Sequence, residues 1–228
     1  MSFVLRCDAD RALILPDALF PRRRTTYPSI LEWPSASSHA AYLFPPTFVR
    51  ETISLNKMLR IEQAFSEDKI AKARELFPEY AKALSVDLCF QDFARELQEL
   101  PGKYAPPAGR LLLAYYNDTD ASEHLAGCGA LRPLSTEVCE MKRLYVRPEF
   151  RGRGIGRALT LALISAAHEI GYRALRLDTL PEMREAHKLY EELGFREIAP
   201  YCANPVEGVR YLELDLSVSL LTDEVGRP

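Results

Sequence analysis

Not one glycine occurs before residue 102, although eleven lie at 102 or beyond. The opening stretch has the other backbone breaker instead, with six prolines in residues 1–57. Proline fixes φ and removes a donor, which excludes a long helix or a central strand there. Residues 1–57 are therefore expected to form an irregular extension, docked through Leu13–Leu15 or Tyr42–Phe44. The folded domain is expected to span 58–228. No apolar run approaches the length of a membrane span, so a membrane partner is not expected. The first twenty residues lack the apolar stretch of a secretory signal, and Asp8, Asp10 and Asp17 argue against a transit peptide. A formal net charge of −3 gives no general attraction to nucleic acid. The five cysteines (7, 89, 128, 139 and 202) are odd in number, and none falls at a metal-ligand spacing such as CxxC. They read as reduced thiols of a cytoplasmic protein. No His, Cys, Asp or Glu cluster has ligand spacing, so no metal is expected.

What remains alternates between strands and helices. Met58 begins a strand-like stretch. Ser66, followed by Glu67 and Asp68, has the chemistry of a helix start. Ile70, Ala73, Phe77, Tyr80, Ala81 and Leu84 then recur at helical spacing, with Pro78 expected to kink the helix. A shorter helix is expected over about 89–98. Three strands follow, over 110–116, 125–131 and 137–146, joined by hairpin-like loops and so antiparallel. Residues 154–170 carry an apolar helical stripe closed by Gly171. A strand is expected over 174–178, and Thr179-x-x-Glu182 has the pattern of a capping box opening the next helix. Gly194 ends that helix, and 209–216 alternates as a last strand. The strand–helix–strand unit of 137–178 requires parallel pairing with a right-handed crossover. The expected fold is α/β, a mixed and mostly antiparallel twisted sheet with helices on both faces.

One segment carries chemistry. Arg151-Gly152-Arg153-Gly154-Ile155-Gly156-Arg157 follows a strand and opens an amphipathic helix. Glycines let the backbone come close to a ligand. The helix start offers unpaired N–H groups and partial positive charge, which suits a pyrophosphate. The three arginines add charge, and without an anionic partner they would repel one another. A dinucleotide fold wants GxGxxG with a later acidic residue, and a P-loop wants Gly-Lys-Ser/Thr. Neither pattern is present.

Arg151-x-x-Gly154-x-Gly156 resembles the acetyl-CoA signature of the GNAT superfamily of N-acetyltransferases. Ala186-x-x-Leu189-Tyr190-x-x-x-Gly194-Phe195 is similar to that family's second motif, and the order of elements from 58 to 216 agrees. The resemblance implies that acetyl-CoA lays its pantetheine arm along Leu144, Tyr145 and Val146. It implies that the pyrophosphate sits on Arg151, Gly152, Arg153, Gly154, Ile155, Gly156 and Arg157, and that the strand at 174–178 splays away. An asparagine that the family often has seven residues before the tyrosine is replaced by Met183.

Transfer to an amine needs a neutral nucleophile and a protonated leaving group. The resemblance puts Tyr190 beside the CoA sulfur as proton donor. Glu140, eleven residues before Arg151, stands where some lysine-acetylating members keep a catalytic glutamate. It reads equally as a strand residue paired with Lys142 or Arg143, and a family bulge near this point leaves its face open. His124, His168 and His187 are further candidates. The resemblance places the acceptor between about 77–104 and 199–211, where Asp87, Glu96, Tyr104, Tyr201 and Glu207 would suit a cationic amine. The reading is of an enzyme, monomer or homodimer, acetylating a primary amine of a small molecule or a peptide. The rival is a non-catalytic acetyl-CoA sensor of the same fold.

Overall fold

The computed structural model describes residues 58–84, 92–118 and 122–217. The expected extension 1–57, the start of the 89–98 helix, Cys7, Cys89 and Asp87 lie outside these described residues. The elements run β1 (Leu59–Gln63), α1 (Glu67–Ala83), α2 (Phe93–Glu99), β2 (Arg110–Asn117), β3 (Glu123–Pro133), β4 (Val138–Val146), α3 (Ile155–Ile170), β5 (Ala174–Thr179), α4 (Arg184–Glu192), β6 (Arg196–Glu197) and β7 (Arg210–Asp215). The seven strands form one sheet in the order β1-β2-β3-β4-β5-β7-β6. Every neighbouring pair is antiparallel except β4 and β5, as the strand–helix–strand unit requires.

Strand alternation sorts the apolar side chains onto two faces. On β2, Leu111, Leu113 and Tyr115 join Phe77, Leu76 and Tyr104 in a core beneath α1 and α2. Leu112 and Ala114 point the other way, into a core with Leu159, Leu163, Leu175, Leu212 and Phe195 beneath α3 and α4. Each fully buried leucine is worth about 1.5–3 kcal/mol. Two such layers on a central sheet give the three-layer architecture expected of the sequence.

Ser66 occupies the N-cap of α1, although its side chain makes no capping bond, and Pro78 stands inside the helix without ending it. Gly171 closes α3 in left-handed geometry, as expected. The capping box expected at Thr179 does not form. Ladder pairing with β7 holds β5 extended through Thr179, and α4 begins only at Arg184. The Thr179 hydroxyl, being buried, turns to the Met183 sulfur instead. The two-residue β6 is too short to show alternation in sequence.

Candidate functional site

The site begins with a failure of pairing. β4 and β5 are matched at only three positions, Val138 with Ala174, Cys139 with Leu175 and Glu140 with Arg176. Beyond Glu140 the parallel ladder ends while both strands continue, so a wedge opens between them. A bulge helps to form it. Cys128 faces Tyr145 and Ala130 faces Lys142, so β4 spends one residue more than β3 between these pairs. Arg143 in the bulge has φ +57. Just past the bulge, where Gly127 pairs with Val146, the β3 backbone comes close. A Cβ on Gly127 would stand 2.3 Å from the Tyr145 carbonyl oxygen, which explains the glycine.

An ion pair locks the bulge from the α2 side. Glu96 accepts from Arg143 Nε at 2.7 Å and Nη2 at 3.1 Å, from the Tyr104 hydroxyl at 2.9 Å, and meets Lys103 Nζ at 2.7 Å. Burial pushes the Glu96 carboxyl up, but the Arg143 and Lys103 bonds outweigh it and hold the group at about 2. Glu96 and Tyr104, which the resemblance placed in the acceptor region, are both buried and pin the bulge to α2. Glu207 is exposed to solvent.

The wedge contains a cavity of about 50 Å3, lined by Tyr80, Lys142, Asp178, Tyr190 and Asn204 together with apolar side chains such as Met141 and Leu177. That is room for one or two waters at about 30 Å3 each, or a few non-hydrogen atoms. α1 supplies Tyr80 from above. It is clamped by Glu79, which accepts from Arg147 Nε at 2.9 Å and Nη2 at 2.7 Å. α4 supplies Tyr190, which packs at 5.5 Å between centroids on Phe195 of the same motif. Tyr190 lines the cavity, and its hydroxyl takes no hydrogen-bond partner among the described residues. Burial raises its pKa well above the ordinary tyrosine value, so it stays protonated.

Lys142 Nζ donates to Asp178 Oδ1 at 2.9 Å, and Asn204 Nδ2 donates to Asp178 Oδ2 at 2.9 Å. Burial lowers the Lys142 pKa and raises that of Asp178, but the opposite charge of each outweighs it. Both therefore stay ionised. Glu140 stands behind this wall, fully buried. It accepts from Arg132 Nε and, at 2.9 Å, from the Tyr201 hydroxyl, and Lys142 Nζ lies 3.6 Å away. Sequence reasoning missed Lys142, Asp178, Asn204 and Tyr80 as cavity groups. Asp178 had a legible signal, because ligands gather beyond the carboxyl ends of parallel strands.

At the mouth of the wedge α3 begins. Its N-cap is Gly154, with φ +76 and no side-chain capping bond. The first intrahelical bond runs from Ala158 N to Gly154 O at 3.0 Å, so the preceding amides are free of the helix ladder. Cβ atoms on Gly152 or Gly154 would meet nothing within 4 Å. The surface there is open, as a bound pyrophosphate would need. Arg151 Nε donates to Val146 O at 3.1 Å, Arg157 Nη1 reaches Glu192 at 3.0 Å, and the Arg153 guanidinium lies 4.7 Å from the Tyr116 ring centroid. All three arginines remain exposed to solvent. Ile155, by contrast, points into the core.

Of the strand residues expected to carry the pantetheine arm, Leu144 lines the cavity and Tyr145 pairs with Cys128. Arg147 N donates to Ala126 O, so the neighbouring Val146 turns its backbone groups to the β5 side. The histidines take other places. His187 Nε2 bonds the Leu180 carbonyl at 2.9 Å and braces the turn before α4. His124 lies 5.9 Å from Phe150, and His168 is on the last turn of α3.

Comparison with known proteins agrees with this geometry. The sequence profile of the Acetyltransferase (GNAT) family matches residues 70–195. An uncharacterised N-acetyltransferase of Schizosaccharomyces pombe is 39% identical over 143 residues, which is 62% of this chain and 85% of that protein. An acetyltransferase from Streptococcus agalactiae superposes with a TM-score of 0.57 at 19% identity, covering 70% of this chain and 99% of the other. YncA of Salmonella typhimurium, described as a putative acetyltransferase with its cofactor acetyl-CoA, superposes with a TM-score of 0.51 at 17% identity, covering 73% and 99%. Those two structural likenesses are of fold alone. No helix among the described residues is long and apolar enough to cross a membrane. With its profile match over more than half the chain and its splayed sheet, this protein belongs to the GNAT family of acetyltransferases.

Proposed function

We propose that this chain moves the acetyl group of acetyl-CoA onto a primary amine by direct attack, in the cytoplasm. One observation carries the reading. An uncapped helix start, open at Gly152 and Gly154 and flanked by three arginines, adjoins a wedge whose cavity is lined by Tyr190, with its hydroxyl unpartnered among the described residues. The residues present fit the cosubstrate. The amides of 152–157 with Arg151, Arg153 and Arg157 would hold its pyrophosphate, and the open edge of β4 at Leu144–Val146 would hold its arm. Acetyl-CoA supplies an acyl group activated as a thioester.

The chain's own groups have three tasks. Asp178 receives the acceptor as an ammonium and orients it, and the proton leaves to water before attack. The amine nitrogen then bonds the acyl carbon as the carbon–sulfur bond breaks. Tyr190 gives its proton to the departing sulfur, and the second proton, lost by the newly acylated nitrogen, returns to Tyr190 through water, so that the step yields amide and CoA thiol with Tyr190 restored. An electrostatic contact that matters only as charge develops on sulfur lowers the barrier rather than tightening binding. Glu140 fixes Tyr201 and, through Lys142, the orientation of Asp178. It is thus one step removed from the acceptor, and Asp178 is the carboxylate nearest to it. The free thiols of Cys128 and Cys139, each pushed up to about 12 by burial, accord with a reducing compartment.

The test is a thiol-release screen with acetyl-CoA over amino acids, polyamines, aminoglycosides and peptides. Release of CoA thiol with at least one amine, and formation of its N-acetyl product, is expected. Binding of acetyl-CoA without release across the panel would contradict acetyl transfer.

A further inference from the structure

The cavity wall holds more charge than acetyl transfer alone requires. Lys142 is 8% exposed and Asp178 10% exposed, and both line the cavity. Burying two ions is costly, and an apolar pair of similar shape would be no less stable. The pair is also incompletely satisfied. Of the three Lys142 N–H donors, one is in a hydrogen bond, to Asp178, and Glu140 lies at 3.6 Å, beyond hydrogen-bond reach. Asp178 accepts one bond on each oxygen and keeps lone pairs free on both. A nine-tenths buried ammonium with unused donors, bordering a cavity, calls for an anionic or strongly polar ligand atom.

Resting on the acetyl-transfer reading above, the geometry points to an acceptor that is a free α-amino acid, its ammonium on Asp178 and its carboxylate on Lys142. The two protein groups stand 2.9 Å apart, so the two ligand groups must also be near neighbours. A zwitterion with both charges on one carbon meets that condition head to tail. A polyamine would place a second cation against Lys142, and a peptide or lysine side chain would bring no carboxylate next to the reacting amine. Tyr201, bonded to Glu140, and Asn204, bonded to Asp178, anchor the 199–209 loop beside the pair. That loop keeps the pair out of bulk water, where its attraction for a zwitterion would be screened.

The experiment compares kcat/KM for single amino acids with their C-terminal amides, in the full-length wild type and in Lys142→Met and Lys142→Arg. An amino acid amide has the less basic amine, so more of it is neutral at a given pH. Without carboxylate recognition it should be the better acceptor. We expect the free acid to be preferred by roughly 10- to 100-fold, the range for a hydrogen bond between charged groups. Lys142→Met should abolish the preference through KM, with acetyl-CoA affinity kept by calorimetry. Lys142→Arg should retain part of it. Turnover of amides or simple amines as well as of free acids by the wild type would overturn the acceptor class and leave acetyl transfer standing. An undiminished preference in a folded Lys142→Met protein would overturn the role of Lys142. Absence of thiol release with every amine would overturn acetyl transfer, and this inference with it.

Discussion

Glu96→Gln should separate the architecture of the site from its chemistry. The Glu96 side chain is 3% exposed, and its carboxylate is shared by Arg143, Lys103 and Tyr104. Glutamine keeps the shape and removes the charge. The folded carboxyl stands at about 2 against an ordinary 4.5, and each tenfold change in proton affinity is worth about 1.4 kcal/mol. That sets the charge's contribution at about 3 kcal/mol, in line with the 3–5 kcal/mol measured when buried pairs are broken. A folded pKa below the unfolded one stabilises above the unfolded value, and the stabilisation is lost as pH falls toward the folded value. Urea unfolding of wild type and variant should therefore differ by about 3 kcal/mol at pH 7. The difference should shrink below about pH 4.5 and nearly vanish near pH 2, where Glu96 is itself protonated. Because Glu96 holds Arg143 in the bulge, the variant should also turn over more slowly. A difference under about 1 kcal/mol at pH 7, or one unchanged between pH 7 and pH 3, would refute the reasoning.

Two further outcomes concern the chemical step. Tyr190→Phe should lower turnover about 100-fold, the low end for general acid help because a thiol is already a fair leaving group. Acetyl-CoA affinity should hardly change, and a wild-type rate with a substrate for which chemistry is limiting would make Tyr190 mere packing. The rate should climb with pH toward the pKa of the acceptor amine and show no fall up to pH 10. Burial keeps Tyr190 protonated over that range. A descending limb between pH 7 and 9 in kcat would point to a different proton donor.

The sequence made the cofactor side of the site readable and left the acceptor side hidden, for physical reasons. The glycine–arginine turn is local, and its meaning lies in consecutive residues. The opposite wall is built from pairs distant in the chain, Glu96 with Arg143 and Lys142 with Asp178, which no spacing rule connects. The face of Glu140 could not be read either. Cys139 through Arg143 are all buried because β4 is covered on both sides, so apolar–polar alternation carries no information there. The capping pattern at Thr179 was overridden by ladder pairing with Arg210, a contact made only after folding.

The most direct test of the account is a calorimetric titration of acetyl-CoA into wild type and Gly156→Val. Gly156 lies in the first turn of α3, and a Cβ there would meet only Val146 Cγ2, at an ordinary 3.9 Å. Valine is also a better helix former than glycine, so the free protein should fold at least as well. Its branched side chain would nevertheless stand where the pyrophosphate must approach the backbone. Binding by the wild type with loss of measurable binding in a folded Gly156→Val protein is the predicted result. Equal affinity of the two proteins would contradict the assignment of this helix start as the acetyl-CoA site.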